Sequence, residues 1–136
     1  METFYKRYCK ILTLKNDHEL IRQYREVHAI NQAWPEITQG MKEIGIIDME
    51  IYIHGNILFM IMDTVAEFDH QKAMAELASK PRQQEWESYV SRFQNARNDA
   101  SAEGKWMLMD RIYEMDQETE SKAISGQVKK LLNKCF

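Results

Sequence analysis

The sequence predicts an α+β fold in which one antiparallel sheet carries helices on a single face. Three observations support this prediction. Only two Pro and five Gly occur in 136 residues, so most of the chain should lie in regular elements. Segments with the two-residue alternation of strands occur between segments with the periodicity of helices. One tight turn joins two strand-like segments directly, which is typical of an antiparallel hairpin.

The first elements are a strand and a helix. Residues 5–14 alternate as a strand does, and Lys10 is the one charged residue on its apolar face. Asn16 is expected to cap the helix that follows, with Glu19 three residues later in a capping box. This helix is expected to end near Asn31.

A second helix and a hairpin follow. Pro35 suits the first turn of the helix, and Gly45 suits its C-terminal end. Residues 48–53 alternate between apolar and polar side chains, residues 54–56 form the turn, and residues 57–62 form the next strand. That strand is apolar at every position, so both of its faces should be buried.

The second half of the chain predicts two helical segments, a strand and a tail. A helix is expected over residues 66–78, and Pro81 is expected to open another. The polar stretch 95–104 reads as a loop. A last strand is expected over residues 106–115, and an amphipathic helix over residues 118–136.

The resulting order is β-α-β-β-α-β, which is that of a ferredoxin-like fold, with an extra C-terminal helix. Helices in such a fold cover one face of the sheet only. Because the third strand is apolar on both sides, we expect a second copy of the chain to cover the other face, giving a homodimer. The expected domains are residues 1–116 and a helical extension over residues 117–136.

Composition argues against several classes of protein. A net charge of −3, from 18 basic and 21 acidic residues, argues against a nucleic-acid partner. The longest apolar run, residues 57–62, is too short to cross a membrane, so no membrane partner is expected. Cys9 and Cys135 lie at opposite ends of the chain and form no paired motif, which indicates a reducing, cytoplasmic location.

Few residues have chemistry that points to a site. Tyr24 and His28 are one helical turn apart, so a phenol and an imidazole that titrates near neutral pH would lie side by side. They could bind a polyol and move its protons, while Trp86 offers a flat surface for a sugar ring. Each also has a structural interpretation, because such aromatic residues are usually core and a His at a helix C-terminus interacts with the helix dipole. Asp48 and Glu50 are by default solvated.

No sequence motif indicates a cofactor. The glycine-rich motifs that bind nucleotides do not occur, and the four His do not have the spacing of a zinc site. We therefore expect neither a cofactor nor a metal.

A combination of motifs runs through the chain. It consists of Tyr24-x-x-x-His28, Trp34-Pro35-Glu36, Gly45, Ile51-Tyr52, Leu58-Phe59 and Trp86. This combination resembles the L-rhamnose mutarotase family over residues 5–115. Residues 48–52, 84–87 and 105–106 are similar to a branch of that family often described as acting on L-fucose.

The resemblance implies a fold, an activity and roles for residues. It implies a dimeric ferredoxin-like α/β-barrel, without a cofactor, that interconverts the α and β anomers of a 6-deoxy-L-hexose. The family's proton donor falls on His28 and a substrate-binding Tyr falls on Tyr24. A further binding Tyr of the rhamnose enzymes falls on Met49, and their Trp pair falls on Glu85 and Trp86.

The chemistry that the resemblance implies is acid–base catalysis. His28 would be the general acid and base, Tyr24 would orient the sugar, and Trp86 would pack on its C6 methyl group. A second acid could be Asp48, Glu50 or a group of the other subunit. The alternatives are a small-ligand-binding module or a cofactor-free oxygenase of the same dimeric fold, with an apolar ligand, and a purely structural dimerisation domain.

Overall fold

The computed structural model describes residues 3–29, 32–95, 102–115 and 127–132. The elements in these ranges follow one another as the sequence predicts as far as the fourth strand. They are β1 (Thr3–Thr13), α1 (His18–Val27), α2 (Pro35–Glu43), β2 (Ile46–His54), β3 (Ile57–Val65), α3 (His70–Leu77), α4 (Gln83–Ser91), α5 (Ala102–Lys105), β4 (Met107–Leu108) and β5 (Gln127–Leu132).

The strands form one antiparallel sheet in the order β2-β3-β1-β4, and β5 pairs with the same edge of β1 as β4 does. The register places Tyr8 of β1 and Met49 of β2 on either side of Met62 of β3. The predicted α+β class and the order of its first four strands are confirmed.

The two faces of the sheet differ in burial. We call the face packed against the helices the covered face; its residues on β1 and β3 are Tyr8, Lys10, Leu12, Leu58, Met60 and Met62, none more than 6% exposed. These strand residues share one apolar core with Tyr24 of α1, Ile37 of α2, Leu77 of α3 and Val90 of α4. Helices and sheet therefore bury a common interior, which is the main source of folding free energy in such a domain.

The opposite face is less covered. We call it the open face; its residues include Ile11, Glu50, Tyr52, Ile57, Phe59 and Ile61. Tyr52 is 55% exposed and Ile57 is 43% exposed, while Phe59 and Ile61 are half-buried. The prediction that both faces of β3 are buried is therefore not met within a single chain.

Short-range hydrogen bonds set the two ends of helix α1. Asp17, not the predicted Asn16, is its N-cap: the Asp17 carboxylate accepts a hydrogen bond from the Leu20 N–H at 3.0 Å. An ionised carboxylate is also favoured by the helix dipole at this end. The helix ends at Val27, earlier than the predicted end near Asn31, which lies outside the described residues.

Helix α2 has the ends that the sequence predicts. Pro35 is its first residue, and Ile44 is its C-cap. Gly45 follows with a φ of 105°, a conformation that side chains disfavour, and a Cβ there would lie 3.1 Å from Cγ2 of Val65. Gly45 therefore both ends the helix and lets the chain turn directly into β2.

Helices α3 and α4 both begin later than predicted. The expected starts at Ala66 and Pro81 are replaced by starts after Asp69 and Arg82. The Asp69 carboxylate accepts a hydrogen bond from the Lys72 N–H at 3.1 Å and so caps α3. Arg82 has a φ of 64°, which is incompatible with continuous helix through this point.

The last predicted strand, over residues 106–115, is too long. Only Met107 and Leu108 pair with β1 as strand β4, and one further backbone hydrogen bond joins Met109 N–H to the Cys9 carbonyl at 2.8 Å. Of the predicted loop, residues 102–105 form the short helix α5 and residues 96–101 lie outside the described residues.

The predicted C-terminal helix is wrong over residues 127–132, which form β5. This strand pairs with Thr3–Tyr8 of β1, and the short β4 leaves that part of the edge available. Pairing along this edge gives hydrogen-bond partners to backbone groups of β1 and of the tail. The amphipathic side-chain pattern of the tail does not predict this pairing. The rest of the predicted helix lies outside the described residues, and the division at residue 116 stays a prediction. Within the described ranges, every helix is too short or too polar to span a bilayer.

Candidate functional site

A cavity lies between the covered face and helices α1, α2, α3 and α4. Its volume is about 410 Å³, which is within the range of small-molecule sites. Five methionines contribute to its wall: Met41, Met49, Met60, Met62 and Met74. Polar groups reach it from Lys10, Tyr24, His28, Asp48 and Gln94. A largely apolar pocket with a few convergent polar groups can bind a small polar molecule in a fixed orientation.

His28 lies in this cavity with its protonation set by its surroundings. It is the C-cap of α1, and its Nδ1 lies 2.9 Å from the Tyr24 carbonyl oxygen. A carbonyl can only accept, so Nδ1 carries the proton and Nε2 has the lone pair of the neutral ring. Burial lowers the pKa of His28, while the hydrogen bond to Tyr24 acts in the opposite direction. His28 is therefore a neutral base near pH 7.

Tyr24 lies beside His28, as the spacing of one helical turn predicts. The ring centroids are 4.2 Å apart, and Tyr24 is only 4% exposed. Burial raises the pKa of Tyr24 well above its usual range. The hydroxyl consequently stays protonated and can donate or accept a hydrogen bond without taking part as a base.

Trp86 and Met49 complete the part of the site that the sequence predicts. Trp86, on α4, is 8% exposed and its ring meets that of His28 edge-on at 5.5 Å. The Trp34 ring packs against it, with the two ring centroids 5.1 Å apart. The Arg82 guanidinium carbon lies 4.1 Å from the centroid of the Trp34 ring. Met49, on the covered face of β2, also lines the cavity.

The three candidate acidic residues lie in different places. Asp48 contributes to the cavity wall at the irregular start of β2, and its register partner is Asp63 on the open face. Glu50 lies on the open face, where its carboxylate accepts a hydrogen bond from the Tyr52 hydroxyl at 2.6 Å. Glu85 lies on the exposed side of α4 and pairs with Arg82 at 2.9 Å. Neither Glu50 nor Glu85 lines the cavity.

Lys10 is a site residue that the sequence signalled without identifying. It is 2% exposed, lies on the covered face opposite Met60, and lines the cavity. The signal was its position, because a charged residue on the apolar face of a strand is rarely buried without a role. What the sequence did not show is that this face is also the wall of a pocket.

Gln94 and Glu87 were missed altogether. Gln94 follows α4 and is 2% exposed at the cavity wall. Glu87 also lines the cavity, and its carboxylate is held by Lys105 at 3.1 Å and by Gln83 at 2.7 Å. No local pattern marks these residues, because contacts between distant segments bring them to the cavity.

Metal ligands are not grouped in the part of the chain that the structure describes. No three or more His, Cys, Asp or Glu side chains lie close enough there to hold an ion. Besides Trp, the polar and charged residues that line the cavity are instead one His, two Lys, one Thr, one Tyr, one Gln, one Asp and one Glu.

Sequence comparisons agree with the motifs. The family model for L-rhamnose mutarotase matches residues 7–115. An L-fucose mutarotase of Xanthomonas campestris pv. campestris is 33% identical over 112 residues, covering 82% of this chain and 90% of that protein. A UPF0734 protein of Dictyostelium discoideum is 34% identical over 118 residues, covering 82% of this chain and 91% of that protein.

A solved structure shares the fold. The crystal structure of an L-rhamnose mutarotase from Formosa agariphila superposes with a TM-score of 0.60 at 18% identity. The likeness covers 81% of this chain and 98% of that one. At this identity the likeness shows a shared fold.

Proposed function

The chain belongs to the L-rhamnose mutarotase family and is an isomerase, and we propose that it interconverts the α and β anomers of a 6-deoxy-L-hexose, either L-fucose or L-rhamnose. The observation that carries this proposal is His28: a neutral imidazole, with its proton fixed on Nδ1, in a partly open cavity large enough for a sugar. Mutarotation needs a group that can both take and give a proton near neutral pH.

The proposed reaction opens and closes the sugar ring. Nε2 of His28 takes the proton of the anomeric hydroxyl while the bond between the anomeric carbon and the ring oxygen breaks. The ring oxygen gains a proton from the imidazolium of His28 or from the second acid, giving the open-chain aldehyde. Rotation about the neighbouring carbon–carbon bond exposes the other face of the aldehyde, and the same transfers in reverse close the ring as the other anomer.

The remaining side chains would bind the sugar. Tyr24 would hydrogen-bond a sugar hydroxyl, and Trp86 and Met49 would contact its apolar side, including the C6 methyl group. Of the carboxylates proposed as a second acid, Asp48 contributes to the cavity wall, although its register partner Asp63 lies on the open face, and Glu50 does not line the cavity; Asp48 is therefore the better candidate of the two. Glu85 would act on the sugar only indirectly, through Arg82 and Trp34.

The test is anomer exchange measured by saturation-transfer NMR on L-fucose, L-rhamnose and the 6-hydroxylated hexose L-galactose. We expect the protein to accelerate exchange of at least one 6-deoxy sugar, and more strongly than that of L-galactose, since Trp86 and Met49 favour a methyl group at C6. Exchange at the uncatalysed rate for all three sugars would contradict the proposal.

The methionine wall supports one other candidate function. A cavity lined by five flexible thioethers could hold an apolar ligand, as in a binding module or a cofactor-free oxygenase of this fold. Titration of the Trp fluorescence separates the two. A response to L-fucose or L-rhamnose supports the mutarotase, a response only to an apolar aromatic supports the alternative, and no response supports a structural domain.

We also propose that the chain is a homodimer joined through the open face. The exposed and half-buried side chains of this face include Tyr52, Ile57 and Ile61, which a second copy would cover. Light scattering at micromolar concentration should give the mass of two chains. Ile61→Glu should give the mass of one chain. Ser88→Glu, at an exposed position of α4, should remain a dimer. A wild-type mass of one chain would contradict the proposal.

Three further predictions complete the picture. The partner in solution is expected to be a small sugar and not a nucleic acid, given the net charge of −3. No cofactor is expected to be needed for the proton transfers described above. The cytoplasmic location stays a prediction from the two distant cysteines.

A further inference from the structure

We propose that Gln94 is a sugar-binding residue of this site: its side-chain carbonyl oxygen accepts a hydrogen bond from a hydroxyl of the sugar that His28 and Tyr24 act on. This inference rests on the proposed function and adds a specificity-determining contact to it.

The backbone around Gln94 is fixed at the end of β1. Gln94 forms an isolated bridge with Leu14. On one side of it the Phe93 carbonyl accepts a hydrogen bond from the Lys15 N–H at 2.9 Å, and on the other the Asn95 N–H donates to the Thr13 carbonyl at 2.8 Å. Because the backbone is hydrogen-bonded on both sides of Gln94, its side chain loses little conformational freedom when a ligand binds.

The side chain is buried, and its two ends differ in their partners. Gln94 is 2% exposed and lies at the wall of the cavity. Its side-chain amide hydrogen-bonds the Tyr24 hydroxyl in the manner of a donor, which opposes the effect of burial on the pKa of Tyr24. The carbonyl end, Oε1, is completely buried and has no hydrogen-bond partner among the described residues.

A buried carbonyl oxygen destabilises the protein when no group donates a hydrogen bond to it. A donor is therefore expected beside Oε1 of Gln94. The cavity beside it is lined by His28 and Tyr24, the groups proposed to bind the sugar, by other polar residues that include Lys10 and Glu87, and by apolar side chains that include five methionines. Sugar hydroxyls are donors, and a site built to hydrogen-bond one discriminates strongly against analogues that lack it. The same amide would therefore hold Tyr24 with one end and the substrate with the other.

The test is a double-mutant cycle on the rate of anomer exchange. Gln94→Met removes both ends of the amide at nearly constant size, and Tyr24→Phe removes the contact that the donor end makes. If Gln94 touches the sugar, Gln94→Met should raise KM about fivefold with kcat within about twofold, in the wild-type and in the Tyr24→Phe background alike. An effect seen only in the wild-type background would overturn the proposal, because Gln94 would then act through Tyr24 alone.

Gln84 provides the matched control. It lies exposed on α4 and away from the cavity, so Gln84→Met should leave both KM and kcat unchanged. Monodeoxy analogues of the preferred sugar extend the test. One analogue should bind the wild type more weakly than the parent sugar does, and Gln94→Met should bind that analogue and the parent sugar equally. A loss that is the same for every analogue in both proteins would count against a direct contact.

A second measurement needs no variant that might fail to fold. In isotopically labelled wild-type protein, the side-chain carbonyl carbon of Gln94 should shift downfield as sugar is added, with the same midpoint as the Trp fluorescence change. A carbonyl signal that does not move while Trp fluorescence reports binding would overturn the proposal. Failure of the proposed function has a different signature, since the wild type would then exchange the anomers of neither sugar.

Discussion

The covered and open faces of the sheet are built from alternate residues of the same strands, yet they provide different chemistry. On the covered face, Tyr8, Lys10 and Met62 are at most 2% exposed and a cavity with His28 lies above them. On the open face, Tyr52 is 55% exposed and its hydroxyl bonds the Glu50 carboxylate. The Arg7 guanidinium likewise pairs with Asp63 at 2.8 Å on that face.

The side chains at the cavity and those on the open face differ in what shifts their pKa values. At the cavity, burial is the largest cause: it raises the pKa of Tyr24 and lowers the pKa of His28. For Tyr52 and Arg7 on the open face, a charged partner is the largest cause: the Glu50 carboxylate raises the pKa of Tyr52, and Asp63 raises the pKa of Arg7. Only the first kind of environment leaves a neutral base in contact with a small-molecule site.

The largest expected contrast in stability is between neighbours on β3. Leu58 is 1% exposed on the covered face and Ile57 is 43% exposed on the open face. Leu58→Ala should lower the free energy of unfolding by about 2–5 kcal/mol, because it leaves a cavity in a packed core. In the monomeric Ile61→Glu background, where the open face is not covered by a second copy, Ile57→Ala should lower it by less than about 1 kcal/mol. Urea unfolding measures both, and equal losses would break the comparison.

A smaller contrast concerns pH and His70, which stacks against Tyr8 at 4.9 Å beneath the covered face. Burial, with a further contribution from Lys10, lowers the pKa of His70 to about 4. The unfolded chain has a His pKa of about 6.5 and so binds more protons between these values. The corresponding stability is present above about pH 6.5 and is lost as the pH falls towards 4.

His70→Gln should therefore flatten the fall in urea midpoint between pH 7 and pH 4.5. His28, whose pKa is also lowered by burial, contributes in the same direction and keeps part of the fall. His54→Gln, at the exposed end of β2, serves as the control and should keep the wild-type profile. A His70→Gln profile identical to that of the wild type would show that burial does not hold His70 neutral.

The smallest expected effect is on the open face. Tyr52→Phe removes a 2.6 Å hydrogen bond to Glu50 between two exposed side chains. In the monomeric Ile61→Glu background this pair is exposed and water replaces the lost partner, so we expect no measurable change in urea midpoint. In the wild-type background we expect no change in anomer exchange, because the pair lies on the face away from the cavity. A fall in exchange rate would mean that Glu50 or Tyr52 reaches the site, for example across a dimer.

Some of this arrangement could be read from the sequence. The alternation in β2 and β3, the turn between them and the ends of α2 depend on neighbours in the chain, so local patterns predict them. The spacing of Tyr24 and His28 fixes their contact for the same reason. The role of the open face did not follow, because it depends on what covers the sheet in the assembled protein.

The misses depend on distant contacts. The tail over residues 127–132 has the pattern of an amphipathic helix, yet it pairs with the edge of β1 that β4 leaves available. Gln94 reaches the cavity because its neighbours bond Thr13 and Lys15, some eighty residues earlier in the chain. Glu50 and Glu85 were plausible from their positions next to Met49 and Trp86, but alternation and helix geometry turn them away from the cavity.

The central claim is that His28 performs the proton transfers of mutarotation in the cavity between the covered face and the helices. The measurement that tests it most directly is saturation-transfer NMR of L-fucose and L-rhamnose anomers with wild-type protein, His28→Gln and His54→Gln at equal concentration. We predict that His28→Gln loses about 10²–10⁴ of the rate enhancement while remaining folded, and that His54→Gln matches the wild type. A folded His28→Gln variant that exchanges anomers at the wild-type rate would contradict the account.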